Sequence, residues 1–282
     1  PDVAVITAMD ADHLDIYGTA EAMGNAFVEF SSKVKPGGFL LTKQGLKREK
    51  ELQAAKHWTY GLQNENADVY ATNIRMMNGS YRFDMMIEEK MIKNLELHIG
   101  GLHNVDNAVA AVTVASYLGI EEDKIKQAVS SFKGVKRRFE YIIKNDELVF
   151  IDDYAHHPEE LRALIHGAKS LFGGQKCTII FQPHLYSRTR DLADGFAAVL
   201  DEADEVILLP IYPARELPIE GVSSEMILGR MKNGNKKVMN KEALMNWVKN
   251  YSNSSEKKIL ITCGAGDIDM LVEPIKKVIE KK

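Results

Sequence analysis

From about residue 140 onward, short apolar runs rich in β-branched residues alternate with stretches whose apolar positions recur at helical spacing. The runs fall at 148–152, 177–182, 205–211, 237–239 and 258–263, and the helical stretches at 158–172, 188–203, 223–231, 241–250 and 267–280. Strands that alternate with helices over connections of a few residues predict a parallel sheet with helices on its faces. The helix phases agree: Leu161, Leu164, Ile165, Ala168 and Leu171 share one face, as do Leu192, Phe196, Val199, Leu200 and Ala203. Each stripe is wide enough to lie on a sheet.

The first half has a different rhythm. A strand at 3–7 is followed by a helix around 19–34, a strand at 38–42 and several short strands between 57 and 99. Asn78-Gly79 between extended segments is a strong hairpin signal. Helices follow at about 104–118 and 122–131. The stretch from Gly134 to Phe139 is glycine-initiated and basic, and it separates the two architectures. It divides the chain into expected domains at 1–136 and 137–282, a length comfortable for two cores.

Composition narrows the class. Thirty-six basic residues against 40 acidic ones give near neutrality, and nothing in that balance suggests a nucleic-acid partner. The longest apolar stretches, near 108–120 and 206–214, fall short of the roughly 18 residues a transmembrane helix needs, so no membrane insertion is expected. The opening residues carry no signal-peptide pattern and begin without Met, as a fragment would. Cys177 and Cys263 lie far apart inside strand-like runs, which fits a reducing, cytoplasmic setting. The 282 residues contain no Gly-Lys-Ser/Thr, hence no phosphate-binding P-loop.

Candidate chemistry gathers where predicted strands end. FQPHLYSRTRD at 181–191 brings His184, Tyr186, Arg188 and Arg190 to the start of a helix at a sheet's carboxyl edge, where open α/β sheets bind ligands. Two cations at the positive end of a helix dipole cost roughly several tenths of a kcal/mol. A bound carboxylate or phosphate, at about 1.5–3 kcal/mol per charge-assisted contact, would reverse that balance; the alternative is two solvated arginines. IDDYAHHPEE at 151–160 repeats the geometry, with Pro158 at the first helical position. Its Asp-Asp and His-His doublets suggest a metal site, and through it a metal-dependent hydrolase. Adjacent residues on extended backbone face opposite ways, however, so each doublet supplies one group to a given ligand, which suits a nucleotide better.

Three further segments carry weaker signals. TAMDADHLDIYG at 7–18 holds Asp10, Asp12, His13 and Asp15, either a magnesium site or a solvated acidic loop. GGLHNVDNAVAA at 100–111 puts His103, Asn104 and Asn107 at a helix start, where Asn can read a purine edge or cap the helix. GVKRRFE at 134–140 offers Arg137 and Arg138 at the junction, and CGAGDID at 263–269 reads as a sharp turn at the sheet edge.

Taken in order, DADHLD, GLHNVDNAVAA, RRFE, DDYAHHPEE, FQPHLYSRTRD and GAGDID resemble the Mur ligases, and their alanine-adding branch most closely, over essentially the whole chain. The branch that attaches a peptide to UDP-N-acetylmuramate in recycling shares the DD-x-AHHP region but differs where this chain has YSRTRD. The resemblance implies an α/β fold: the C-terminal part of a central ATPase domain, then a Rossmann-like parallel-sheet domain. The UDP-binding domain and P-loop would be missing, leaving the fragment alone inactive. It implies an ATP- and Mg2+-dependent, amide-forming ligase joining L-alanine to UDP-N-acetylmuramate through an acyl phosphate. That reaction serves peptidoglycan synthesis, and through it cell-wall biogenesis, shape and division.

By the same resemblance His13 is a magnesium ligand, His103, Asn104 and Asn107 lie around the adenine, and Arg138 approaches the phosphates. Asp153 and His156 meet the ribose and phosphates, while Tyr154, His184 and Arg188 face the muramoyl carboxylate and the alanine. The junction near Gly134 is expected to act as a hinge that lets closure keep the acyl phosphate from water. Leu102 and Leu185 stand where many members carry basic residues. The helix at 19–32 offers no clear counterpart of the carbamylated lysine of other members.

Overall fold

A computed structural model describes residues 1–9, 14–251 and 256–281 of the chain. The chain divides into two compact units, Pro1–His98 with Leu102–Phe132, and Ile99–Gly101 with Lys133–Lys282. Each holds a six-stranded sheet.

In the first unit the order of elements is β1 (Val3–Ile6), α1 (Leu14–Tyr17), α2 (Ala20–Ser32), β2 (Phe39–Lys43), β3 (Lys56–Leu62), β4 (Val69–Met77), β5 (Ser80–Ile87), β6 (Lys90–Leu97), α3 (Leu102–Tyr117) and α4 (Glu122–Ser131). The strands lie in sequence order across the sheet, the first four parallel and β4, β5 and β6 antiparallel. Asn78 and Gly79 both adopt positive φ between paired Met77 and Ser80, the turn that matches strand twist in a tight hairpin. Helix α2 begins on Thr19, whose Oγ1 accepts the Ala22 N–H at 3.1 Å. It covers one face through Phe27 and Val28, which pack on Ala4, Ile6 and Leu40.

Two contacts hold α3 in place. Phe39 of β2 stacks on Tyr117 with ring centroids 4.4 Å apart, and Lys43 pairs with the buried Asp106 at 2.6 Å. Val105, Val109, Ala110 and Val112 are buried, which leaves His103 and Asn107 on the exposed side.

The second unit runs β7 (Glu140–Lys144), β8 (Leu148–Asp153), α5 (Pro158–Leu171), β9 (Lys176–Phe181), α6 (Tyr186–Leu200), β10 (Glu205–Leu208), α7 (Ser224–Arg230), β11 (Lys236–Val238), α8 (Lys241–Tyr251), β12 (Lys258–Cys263) and α9 (Asp269–Glu280). Strand order is β11-β10-β9-β12-β8-β7. All neighbours are parallel except β7, an antiparallel edge strand that the periodicity did not announce. Alternation splits the core between the two faces. Phe150, Ile180, Ile207 and Leu260 pack with Leu244 and Val248 of α8 and Leu271 and Ile275 of α9. Phe181 meets Phe196 of α6 on the opposite face. The stripe Leu161, Leu164, Ile165, Ala168 and Leu171 of α5 is buried throughout. Among the described residues no helix is long and apolar enough to cross a membrane.

Phe139, 1% exposed, lies against Gly100 so closely that a Cβ there would stand 2.0 Å from its Cε1. Both neighbours are enclosed, so the added methyl has to displace the ring. Gly100→Ala is expected to lower unfolding stability by about 1–3 kcal/mol, the usual cost of overpacking. Urea unfolding checks it, and an unchanged midpoint would show that the ring yields freely.

Candidate functional site

Cys263 at the end of β12 pairs in register with Asp153 at the end of β8 and with Phe181 at the end of β9. The three strands therefore release their loops side by side, at the edge where parallel sheets present ligands. The β8 loop carries Tyr154, His156 and His157, and the β9 loop carries His184 and leads into Arg188.

Each doublet divides its labour. Asp152, 1% exposed, accepts from Thr262 Oγ1 at 2.7 Å and from Arg137 Nε at 3.3 Å. Asp153 accepts the backbone N–H groups of Phe139 and Ala155, each at 2.7 Å. Tyr154 N in turn donates to Arg137 O at 2.7 Å, so the RRFE segment is fastened to the end of β8. His157 caps α5 in a capping box with Glu160, whose carboxylate accepts the backbone N–H groups of both histidines. His156 remains for the site. Arg137 also donates to Gly264 O, and Arg137 and Phe139 both adopt positive φ. Such backbone persists only where the surroundings over-determine it, and these bonds do so.

Five of the side chains the sequence singled out on this unit, Arg138, Tyr154, His156, His184 and Arg188, form one chain of contacts, while Asp153 is taken up by the backbone N–H groups of Phe139 and Ala155. The guanidinium of Arg138 lies 5.7 Å from the Tyr154 ring centroid, and Tyr154 meets His156 edge-on at 5.3 Å. His156 meets His184 at 6.3 Å, and His184 Nδ1 lies 3.2 Å from Arg188 Nη1. A guanidinium can only donate, so His184 Nδ1 accepts and its proton resides on Nε2. Burial, then the Arg188 charge, pushes the His184 pKa below its ordinary value, which favours the neutral ring. His156 Nδ1 lies 2.9 Å from Tyr154 O, which can only accept; in the neutral ring Nε2 is thus the free acceptor. The two imidazoles offer one donor and one acceptor.

Arg190 does not join them. It is exposed and pairs with the adjacent Asp191 at 2.7 Å, so one arginine, not two, belongs to the cluster. Nor does the positive end of α6 wait for an external anion. Glu216, from the loop after β10, accepts Ser187 N at 2.9 Å and also Ser187 Oγ. Glu216, Tyr212 and Thr262 escaped the sequence reading, whereas Arg137, offered there beside Arg138, is engaged by Asp152 and Gly264 O. The only trace of the first two was the run YPARE at 212–216, behind a predicted strand. The Asp-Asp and His-His doublets form no metal centre: among the described residues no group of three or more His, Cys, Asp or Glu is arranged to hold one.

On the first unit His103 and Asn104 occupy the first turn of α3 and Asn107 follows one turn later, three residues on one side of the helix start. His13, with Asp10 and Asp12, lies outside the described residues.

Two family models cover most of the chain: the Mur ligase middle domain matches residues 1–115, and the Mur ligase glutamate ligase domain matches residues 137–266. The chain belongs to the Mur ligase family. Among curated Mur ligases, the UDP-N-acetylmuramate–L-alanine ligase of Parabacteroides distasonis is 46% identical over 283 residues. That of Flavobacterium johnsoniae is 44% identical over 284, and both matches take in 100% of this chain. The chain spans about 60% of the length of each. The crystal structure of UDP-N-acetylmuramate–alanine ligase MurC from Thermotoga maritima superimposes with a TM-score of 0.80 at 25% identity, over 100% of this chain and 60% of that one. The Thermotoga maritima MurF ligase in complex with ADP shares the fold at a TM-score of 0.71 and 18% identity, over 100% of this chain and 63% of that one.

Burial raises the Asp152 pKa from 3.8 to about 6, against the pull of Thr262 and Arg137. A carboxyl raised in the fold is protonated more readily there than in the unfolded chain, so its ionisation subtracts stability as pH climbs from about 4 to about 6. Asp152→Asn removes that penalty. Its stability relative to the parent is expected to improve by on the order of 2–3 kcal/mol across this window and to stay level on either side. Denaturant unfolding at a series of pH values tests it, and a pH-independent difference would contradict it.

Proposed function

We propose that this chain is part of an ATP-dependent ligase that joins L-alanine to UDP-N-acetylmuramate in the cytoplasm. The observation that carries the reading is the 44–46% identity, over the whole chain, to enzymes of that name. The geometry of the second unit supports it. Neutral His184, just before α6, and cationic Arg188, in its first turn, lie 3.2 Å apart and suit a carboxylate-bearing substrate, and Tyr154 stands beside His156 in the same chain of contacts.

In this reading Tyr154, His184 and Arg188 face the muramoyl carboxylate and the incoming alanine. Arg138, Asp153 and His156 attend the ribose and phosphates of ATP, and His103, Asn104 and Asn107 its adenine. By resemblance His13 would hold a magnesium ion, which would neutralise charge on the phosphates. The ATP γ-phosphoryl group passes to the carboxylate, and the alanine amine displaces phosphate from the acyl phosphate. Such transfer needs positioning and charge neutralisation more than a protein nucleophile, and the cluster offers cationic, donor and acceptor groups for it. The guanidinium of Arg188 binds a carboxylate oxygen. Neutral His184 keeps Nε2–H as a donor toward the same carboxylate, and the proton lost by the attacking amine leaves with the released phosphate.

In the full-length protein Arg188→Ala is expected to lower kcat/KM for L-alanine by about 10–100-fold, the worth of one charge-assisted contact, and to change KM for ATP by less than about twofold. Steady-state phosphate release under varied alanine and varied ATP measures both. Unchanged alanine kinetics would remove Arg188 from the site, and zinc bound stoichiometrically after chelator-free purification would favour a hydrolase instead.

A further inference from the structure

The connection after β10 carries the run YPARE at 212–216, which the chemistry above does not use. Four hydrogen bonds fasten it to the turn bearing His184 and Arg188. Tyr212 N donates to Pro183 O at 2.8 Å, and Leu185 N donates to Tyr212 O at 2.9 Å. Ser187 N donates to Glu216 Oε2 at 2.9 Å, and Ser187 Oγ donates to Glu216 Oε1. The Tyr212 ring lies nearly parallel to His184, 16° apart with centroids at 5.8 Å. Behind it the backbone of Gly266 comes so near that a Cβ would stand 2.6 Å from the Tyr212 Cβ.

The turn needs this support. Leu185 is the N-cap of α6, yet its φ is 69° and its side chain offers the helix no hydrogen bond. A leucine rests in that left-handed region only when its surroundings hold it there. The first turns of α6 also carry Arg188 and Arg190 at the positive end of the helix dipole, and no acidic residue lies in the first turn to offset them. Glu216 answers both needs from the neighbouring loop. It supplies the missing capping acceptor and a negative charge, and hydrogen bonds from Ser187 hold its own pKa low.

We infer that Glu216 is a positioning residue of the amino-acid subsite: capping α6 from outside, it holds Leu185 in its left-handed conformation and so sets where His184 and Arg188 present their side chains. The inference rests on the reading of His184 and Arg188 as contacts of the amino-acid substrate. It separates Glu216 from a merely stabilising surface carboxylate, whose loss would fall equally on every substrate.

The test compares Glu216→Ala, Glu216→Gln and Arg188→Ala in the full-length protein, with thermal unfolding of each and KM measured separately for L-alanine and ATP. Glu216→Ala is expected to raise KM for L-alanine about tenfold or more while KM for ATP moves less than about twofold, since misplacing a contact by a fraction of an ångström suffices. Glu216→Gln, which keeps an oxygen to accept Ser187 N–H, is expected to recover most of that loss. If Arg188→Ala is impaired and Glu216→Ala matches the parent, the inference is overturned and the site reading stands. If both match the parent, the site reading itself fails. Equal losses toward alanine and ATP overturn the inference in favour of general destabilisation. Should Glu216→Ala not fold, Glu216→Asp, whose carboxylate is withdrawn by one methylene, is read in the same way: a KM rise confined to alanine supports the inference, and an unchanged KM overturns it.

Discussion

Two carboxylates buried at the end of β8 must find partners within the protein, and the layout of the second unit follows from how they do. Asp153 takes the backbone N–H groups of Phe139 and Ala155, and Asp152 takes Thr262 and Arg137. These bonds tie three stretches of chain, 137–139, 152–155 and 262–264, to one strand end. Arg138 reaches the Tyr154 ring because its neighbours on either side are pinned. The Asp152 pKa of about 6 shows that burial costs its charge more than Arg137 and Thr262 return. What the ionised cluster contributes is therefore geometry more than stability, as is common for buried charge.

The same arrangement explains what the sequence could and could not disclose. Helix stripes such as Leu161 to Leu171 and strand runs such as 177–182 were legible because burial repeats with the element's own period. The Asn78-Gly79 turn was legible because few residues tolerate its dihedrals. Strand β7 was not, since five residues, EYIIK, are too short for a period to emerge, and the turn at 145–147 that folds it back on β8 carries no glycine or proline to announce a hairpin. His156, His184 and Arg188 were legible as candidates because they stand at predicted strand ends. That Arg190 turns away to Asp191, and that Glu216 arrives from 29 residues on to cap α6, depends on loop conformations with no repeating signature.

Electrostatics at the start of α6 were misjudged for a related reason. A pair of arginines at a helix N-terminus implied a missing anion, and the implication was sound. The anion is Glu216, already supplied by the chain. This changes what Arg188 is free to do. The helix end already has its anion, so the guanidinium, whose hydrogen-bond partner among the described residues is His184, keeps donors for a substrate.

A general constraint lies behind both doublets. On extended backbone consecutive side chains leave on opposite sides, so Asp152 and Asp153 cannot converge on one ion, and neither can His156 and His157. Both aspartates have partners in the fold, Asp152 in Arg137 and Thr262 and Asp153 in the backbone N–H groups of Phe139 and Ala155, while of the histidines His157 is given to the start of α5. A metal centre read from four clustered ligands fails on this count before any distance is measured. A site that must touch several parts of an extended substrate does not, because it needs single groups spaced along an edge. The chain Arg138, Tyr154, His156, His184, Arg188 has that form, and the structural partners of each doublet are what hold it in line.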